Sequence, residues 1–188
     1  MKKLIAIVMM LLPMLAGAQE LANFVLMPDG TYQTEDGKDF VVIPFEGKTA
    51  HQIYQELASN VGSTFTDPSK VMNGVEDASI LIRAYSDCLW YNKALGMTVC
   101  MGGHYRLEFK IRDGRVRVSA PIVEDPIWND TGGHRNEQKY AKMIGKWFKD
   151  GKVKDNSKEK YNTVVAQMNS IVNSILHTTT VQDATEDW

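Results

Sequence analysis

Arg106-Leu107-Glu108-Phe109-Lys110-Ile111-Arg112-Asp113-Gly114-Arg115-Val116-Arg117-Val118-Ser119-Ala120 alternates polar and apolar residues on both sides of a central Asp-Gly. Alternation with period two belongs to a strand, whose successive side chains point to opposite faces. Asp113-Gly114 tolerates the positive φ that a two-residue hairpin turn demands. Closure around that turn pairs Ile111 with Val116, Phe109 with Val118 and Leu107 with Ala120. All six are apolar and share one face, so turn chemistry and hydrophobic pattern select the same register.

Upstream, Ser79 to Tyr85 alternates as well, with Ile80, Ile82 and Ala84 on one face and Leu81, Arg83 and Tyr85 on the other. Cys88 and Cys100 flank Asn92-Lys93-Ala94-Leu95-Gly96, which reads as a hairpin turn and places the two cysteines opposite each other. Directly opposed residues lie roughly 4.5 to 5.5 Å apart at Cα, within disulfide reach. A bridge and a pair of buried thiols are the two alternatives. Carrying that register onward would set Ile82 against Arg106, with core residues on the wrong side. One extra residue in the second strand restores Ile82–Leu107, Ile80–Phe109 and Ala84–Tyr105. Gly102-Gly103 stands where that residue must go, which predicts a β-bulge inside a strand from about Met97 to Arg112.

The flanking segments supply helices. Thr49-x-x-Gln52 is a capping box, followed by Ala50, Ile53, Leu57 and Val61 at helical spacing, with Gly62 as the expected stop. Before it, Pro28-Asp29-Gly30 and Asp36-Gly37 mark turns, and Phe40 to Phe45 reads as a strand; after it, Asn73-Gly74 is a candidate hairpin turn. Tyr140, Met143, Ile144, Trp147 and Phe148 form an apolar stripe stopped at Gly151. Tyr161, Val164, Val165, Met168, Ile171, Val172, Ile175 and Leu176 form a longer one, with Ser157 as candidate N-cap. The fold class is α+β: an antiparallel, bulged sheet with helices packed on its apolar face.

Composition agrees with a globular chain. Of 188 residues 44% are hydrophobic and 23% charged, which excludes disordered, collagenous and disulfide-dense classes. Met1-Lys2-Lys3, the apolar run Leu4 to Leu15 and Ala16-Gly17-Ala18 read as a signal peptide over residues 1–18. The run is shorter than the roughly 20 residues that a spanning helix needs. The expected division is that signal peptide, one α+β domain over 19–178 and a flexible C-terminal tail over 179–188. Cleavage removes Lys2 and Lys3 and moves the formal charge from −2 to −4. An exported, periplasmic or extracellular chain follows, without a transmembrane segment after cleavage and without a nucleic-acid partner.

The order of Val41-Val42-Ile43-Pro44-Phe45, Gly47-Lys48-Thr49, the helix with Ile53-Tyr54 and Leu57, Asn73-Gly74 and the strand through Tyr105 to Arg115 resembles a known family. It is similar to an exported bacterial family, domain of unknown function 4468, over about residues 38–125. The resemblance implies a TBP-like sheet, an envelope location and a non-catalytic module, and offers no catalytic residues to carry over. Likeness to TBP is one of fold, and fold does not transfer DNA binding.

The outward face of the expected sheet carries Arg83, Tyr85, His104, Arg106, Lys110 and Arg117. In the bulged register Tyr85 opposes His104, Arg83 opposes Arg106 and Lys110 opposes Arg117. Like charges directly opposed destabilise a sheet, so their presence in a chain of net negative charge points to an anionic partner. Such a partner is an envelope protein, a peptide, or an anionic glycan or lipid headgroup. No cofactor or metal is expected, because no HExxH, paired CxxC, GxSxG or GxxxxGK[ST] occurs. The alternative is an envelope enzyme, hydrolytic or metal-dependent, using His104 or His134 with carboxylates of the loop holding Glu124, Asp125 and Asp130. A third reading is a structural subunit whose helical stripe is an oligomer interface.

Overall fold

The computed structural model describes residues 21–94, 97–131 and 134–177, so the expected signal peptide and C-terminal tail lie outside the described residues. In chain order the elements are β1 (Val25–Leu26), β2 (Tyr32–Gln33), β3 (Phe40–Pro44), α1 (Ala50–Thr64), α2 (Pro68–Val71), β4 (Met72–Val75), β5 (Ser79–Ala94) and β6 (Met97–Arg112). There follow β7 (Arg115–Ser119), β8 (Ile122–Val123), β9 (Ile127–Thr131), β10 (His134–Gln138), α3 (Tyr140–Gly145), β11 (Phe148–Lys149), β12 (Lys152–Val153) and α4 (Lys158–Leu176).

Strands β3 to β10 form one antiparallel sheet built on the β5–β6 ladder. One edge of β6 pairs with β5; the other pairs in succession with β9, β8 and β7. The hairpin register is the expected one for Ile111–Val116 and Phe109–Val118. Leu107 and Ala120 do not pair: β7 ends at Ser119, and the Ala120 N–H donates to the Asp39 carbonyl at 2.8 Å. The lower half of β5–β6 also matches, with Ile80–Phe109, Ile82–Leu107, Ala84–Tyr105, Arg83–Arg106 and Tyr85–His104 in register.

The break in that ladder lies at the expected level but belongs to the other strand. Ser86 pairs with Gly103 and Trp90 with Met101, so Asp87, Cys88 and Leu89 stand against Gly102 alone. Three residues against one keeps the parity of both strands, and Trp90 and Met101 therefore stay on the core side, both buried. Tyr91, not Cys88, is the residue paired with Cys100. The disulfide still forms, from Cys88 within the bulge to Cys100, with Cα atoms 4.9 Å apart. Glycine is needed opposite the bulge: a Cβ on Gly102 would lie 2.7 Å from Tyr85 Oη and 2.9 Å from the Ser86 and Asp87 carbonyl oxygens.

Two other turns also differ from expectation. Asn73-Gly74 lies inside β4, where Gly74 faces Ile80, and the turn to β5 comes at residues 76–78 with Asp77 at φ 61°. A Cβ on Gly74 would stand 2.1 Å from the Ser79 carbonyl oxygen, so close backbone approach explains the glycine. The stripe from Tyr140 to Phe148 is split into α3 and a β11–β12 hairpin, with Gly151 at φ 74° in its turn.

Helices α1 and α4 cover the apolar side of the sheet and join it in one core. Thr49 caps α1 through the expected box, and Asp113 of the β6–β7 turn accepts the Ala50 N–H at 2.7 Å. The helix runs two residues past Gly62 to Thr64. Ser157 takes the N-cap position of α4, but its hydroxyl bonds Asn156. Two asparagines of α4 hold the N-terminal segment as a strand partner would. Asn173 donates to the Ala22 carbonyl and accepts its N–H, each at 2.9 Å, and Asn169 does the same for Phe24 at 2.9 and 3.0 Å. Trp90 packs under α3, 5.8 Å from the Tyr140 ring and edge-on to Trp147 at 5.4 Å.

Two stability predictions follow from this packing. The disulfide closes a short loop, and replacing both cysteines with Ala should cost about 3 kcal/mol in the chain-entropy model, read as a lower thermal midpoint; equal midpoints would contradict it. Burial pushes Tyr105 up to about 12 and raises Tyr32 and Tyr140 as well, the last two sharing a 3.1 Å contact between hydroxyls. In the unfolded chain these phenols ionise near pH ~10. Above that pH the unfolded state loses protons that the folded state keeps, so the contribution of these tyrosines to stability, constant below pH ~10, falls as pH climbs from about 10 toward 12. Denaturant titrations across that range should show the fall, and a stability that stays level from about pH 10 to 12 would contradict it.

Candidate functional site

The face of the sheet opposite α1 and α4 carries the candidate residues together. Arg83 and Tyr85 on β5, His104, Arg106 and Lys110 on β6, and Arg117 on β7 alternate with core residues Ile82, Ala84, Tyr105, Leu107, Phe109, Val116 and Val118. The period of a strand alone puts them on one side. The pairings Tyr85–His104, Arg83–Arg106 and Lys110–Arg117 occur as expected. Arg112 pairs with Arg115 beside the turn, a third opposition of like charge that extends the patch beyond the expected six residues. Alternation alone could have found it, because both lie in phase with Lys110 and Arg117.

The upper part of this face is aromatic. The Tyr85 and His104 rings lie 5.1 Å apart, and Trp128 of β9 completes the cluster at 6.0 Å from Tyr85 and 5.9 Å from His104. Trp128 Nε1 donates to Glu137 at 3.4 Å. Arg83 is held by Glu124, with Nε donating at 2.9 Å and a terminal nitrogen at 2.7 Å. Such an exposed pair fixes the guanidinium more than it stabilises the fold.

The lower part is cationic. Lys110 lies 3.4 Å from Glu108, whose carboxylate also accepts from Ser119 at 3.2 Å. The Arg117 guanidinium stacks over Phe40 at 4.0 Å. Among the described residues Arg106, Arg112 and Arg115 form no ion pair shown by the geometry of the sheet or its loops. Val42, Val75, Tyr85 and Ile122 are exposed on this same face, four of the five large hydrophobic residues left exposed among the described residues.

The described residues of the enzymatic alternative have other partners, although the Glu124 N–H donates to the His104 carbonyl at 2.8 Å. His104 meets aromatic rings, while Glu124 holds Arg83 and Asp125 accepts the Tyr140 N–H at 2.6 Å. The backbone of His134 pairs with Thr131, and the side chains of His134 and Asp130 lie outside the described residues. A grouping that sequence reading missed is His51 on α1 with Glu76 and Asp77 on the β4–β5 turn, whose ligand atoms lie within 4.8 Å of one another. His51 Nδ1 is 3.0 Å from Asp77, and among the described residues these three are the grouped side chains that could hold a cation. Residues 26 apart in sequence gave no spacing signal for it.

No family model and no curated protein matches the sequence. Solved structures do match. A TBP-like protein from Parabacteroides distasonis superposes with a TM-score of 0.53 at 11% identity, over 72% of this chain and 87% of that one. The fold is TBP-like. A DUF4468 family protein from Bacteroides ovatus matches at a TM-score of 0.50 and 10% identity, over 85% of this chain and 89% of that one. The TBP-like architecture and the fold resemblance read from the sequence thus agree with solved structures. No helix among the described residues is long and apolar enough to cross a membrane.

Proposed function

We propose that this chain is a non-enzymatic binding module of the bacterial cell envelope, which holds an anionic partner on the helix-free face of its TBP-like sheet. The observation carrying the reading is the set of three like-charged cross-strand pairs on that one face, Arg83–Arg106, Lys110–Arg117 and Arg112–Arg115. Like charges directly opposed destabilise a sheet; Glu124 and Glu108 offset the first two pairs in part, and Arg112–Arg115 has no carboxylate beside it among the described residues. An anionic partner turns the same repulsion into attraction. The exposed Tyr85, Val42 and Ile122 add apolar contact between the cations. The Cys88–Cys100 bridge supports an oxidising compartment, consistent with export directed by residues 1–18.

The test pairs binding with stability. In the variant Arg83→Gln/Arg106→Gln, capture of a glutamate-rich peptide by the immobilised protein should weaken roughly tenfold and lose most of its salt dependence. The thermal midpoint should stay level or rise slightly, because the opposed charges are gone. Unchanged capture would overturn the reading, as would capture lost only together with the fold.

A further inference from the structure

At the β6–β7 end of the helix-free face lies a groove of about 550 Å³. We infer that this groove is a specific site for a phosphate group carrying two or more negative charges, an assignment that rests on the helix-free face being the binding surface. Four cations line it, Lys110, Arg112, Arg115 and Arg117, with Val42 and Ser79 at its sides. No carboxylate is among the lining residues.

Three acids of the same sheet and its turns have partners, one of them Lys110 itself. Asp113 accepts the Ala50 N–H, Asp77 pairs with His51, and Glu108 is shared between Lys110 and Ser119. Of the four cations only Lys110 has a carboxylate beside it among the described residues. Arg117 gives the independent sign of a missing acceptor. Its guanidinium carbon lies 4.0 Å from the centre of the Phe40 ring, and its buried Nε has no hydrogen-bond partner among the described residues. A buried donor left unsatisfied is costly and calls for an acceptor.

The chemistry of the donors selects the ligand. Guanidinium is a planar fork that matches phosphate or carboxylate oxygens in pairs. Three such forks lining one groove present more donors and more charge than one carboxylate can satisfy, whereas a phosphate monoester or diphosphate supplies several oxygens at charge −2 or beyond. The groove is open to solvent and sits at the rim of the sheet, so the phosphate can belong to a soluble molecule or to a lipid headgroup.

The probe is inorganic pyrophosphate, titrated into the oxidised full chain with arginine Nε–Hε signals followed by NMR. Saturable shifts centred on Arg112, Arg115 and Arg117 are expected. Arg115→Gln and Arg112→Gln, both at exposed positions, should each weaken binding by about tenfold without moving the thermal midpoint. Arg83→Gln/Arg106→Gln should leave pyrophosphate affinity within twofold. Vesicles of phosphatidic acid in phosphatidylcholine then separate the sources: co-sedimentation lost in Arg115→Gln assigns the site to a headgroup, and pyrophosphate binding without co-sedimentation assigns it to a soluble phosphate. Non-saturating shifts matched by equal ionic strength of chloride, or saturable binding untouched by the groove variants, would overturn the inference. Failure here with glutamate-peptide capture intact sinks the groove alone; loss of both sinks the face as a binding surface.

Discussion

The three-against-one break in the β5–β6 ladder is the constraint on which the remaining structure depends. β6 is the strand that every neighbour uses: β5 on one edge, and β9, β8 and β7 in turn on the other. A bulge of uneven parity in β5 would have rotated Trp90 out of the core and brought Tyr91 in, and one in β6 would have exchanged Met101 for Cys100 in the same way. With parity kept, Trp90 sits under α3 and Trp147, while the lower ladder still presents Ile80, Ile82, Leu107 and Phe109 to the helices. Gly102 permits the break because the space for its side chain is already filled by Tyr85 and two backbone carbonyls. The disulfide then ties the bulge to the strand it faces.

That parity divides the sheet between two tasks. The inner face, with α1 and α4, buries the branched and aromatic residues that make one continuous core. Among the described residues no helix covers the outer face, and there the chain places opposed cations beside exposed aromatic and aliphatic side chains. Hydrophobic burial on the inner side supplies the stability that allows the outer side to carry unfavourable pairs. Phe40 illustrates the division at one residue, since its ring holds a guanidinium in place where a core ring would pack on aliphatic neighbours.

Much of this was legible in the sequence because strand period and turn chemistry are local. Asp113-Gly114 and the alternation around it determine the β6–β7 register, and the mismatch of two hydrophobic patterns locates a bulge near Gly102-Gly103. What escaped was the identity of the bulged strand. Glycine is favoured both within a bulge and opposite one, and setting Cys88 directly against Cys100 places the extra residue in β6. Asn73-Gly74 misled for a related reason: the glycine answers a close approach of the Ser79 carbonyl, not a turn. Of the site, alternation revealed Arg83, Tyr85, His104, Arg106, Lys110 and Arg117. The contribution of Trp128 and the carboxylate of Glu124 required the tertiary path of β8 and β9, and the His51–Glu76–Asp77 grouping required the packing of α1 against a turn.

The most direct measurement is tyrosine nitration of the native, oxidised chain, mapped by mass spectrometry. Tyr85 and Tyr105 occupy neighbouring rungs of one ladder on opposite faces, at 42% and 3% exposure. A slip of one residue in either strand would turn that strand's tyrosine to the other face. The account predicts modification of Tyr85, with Tyr105 spared until the protein is unfolded. Modification of Tyr105 at the rate of Tyr85, or protection of Tyr85 in the isolated chain, would contradict the assignment of the two faces.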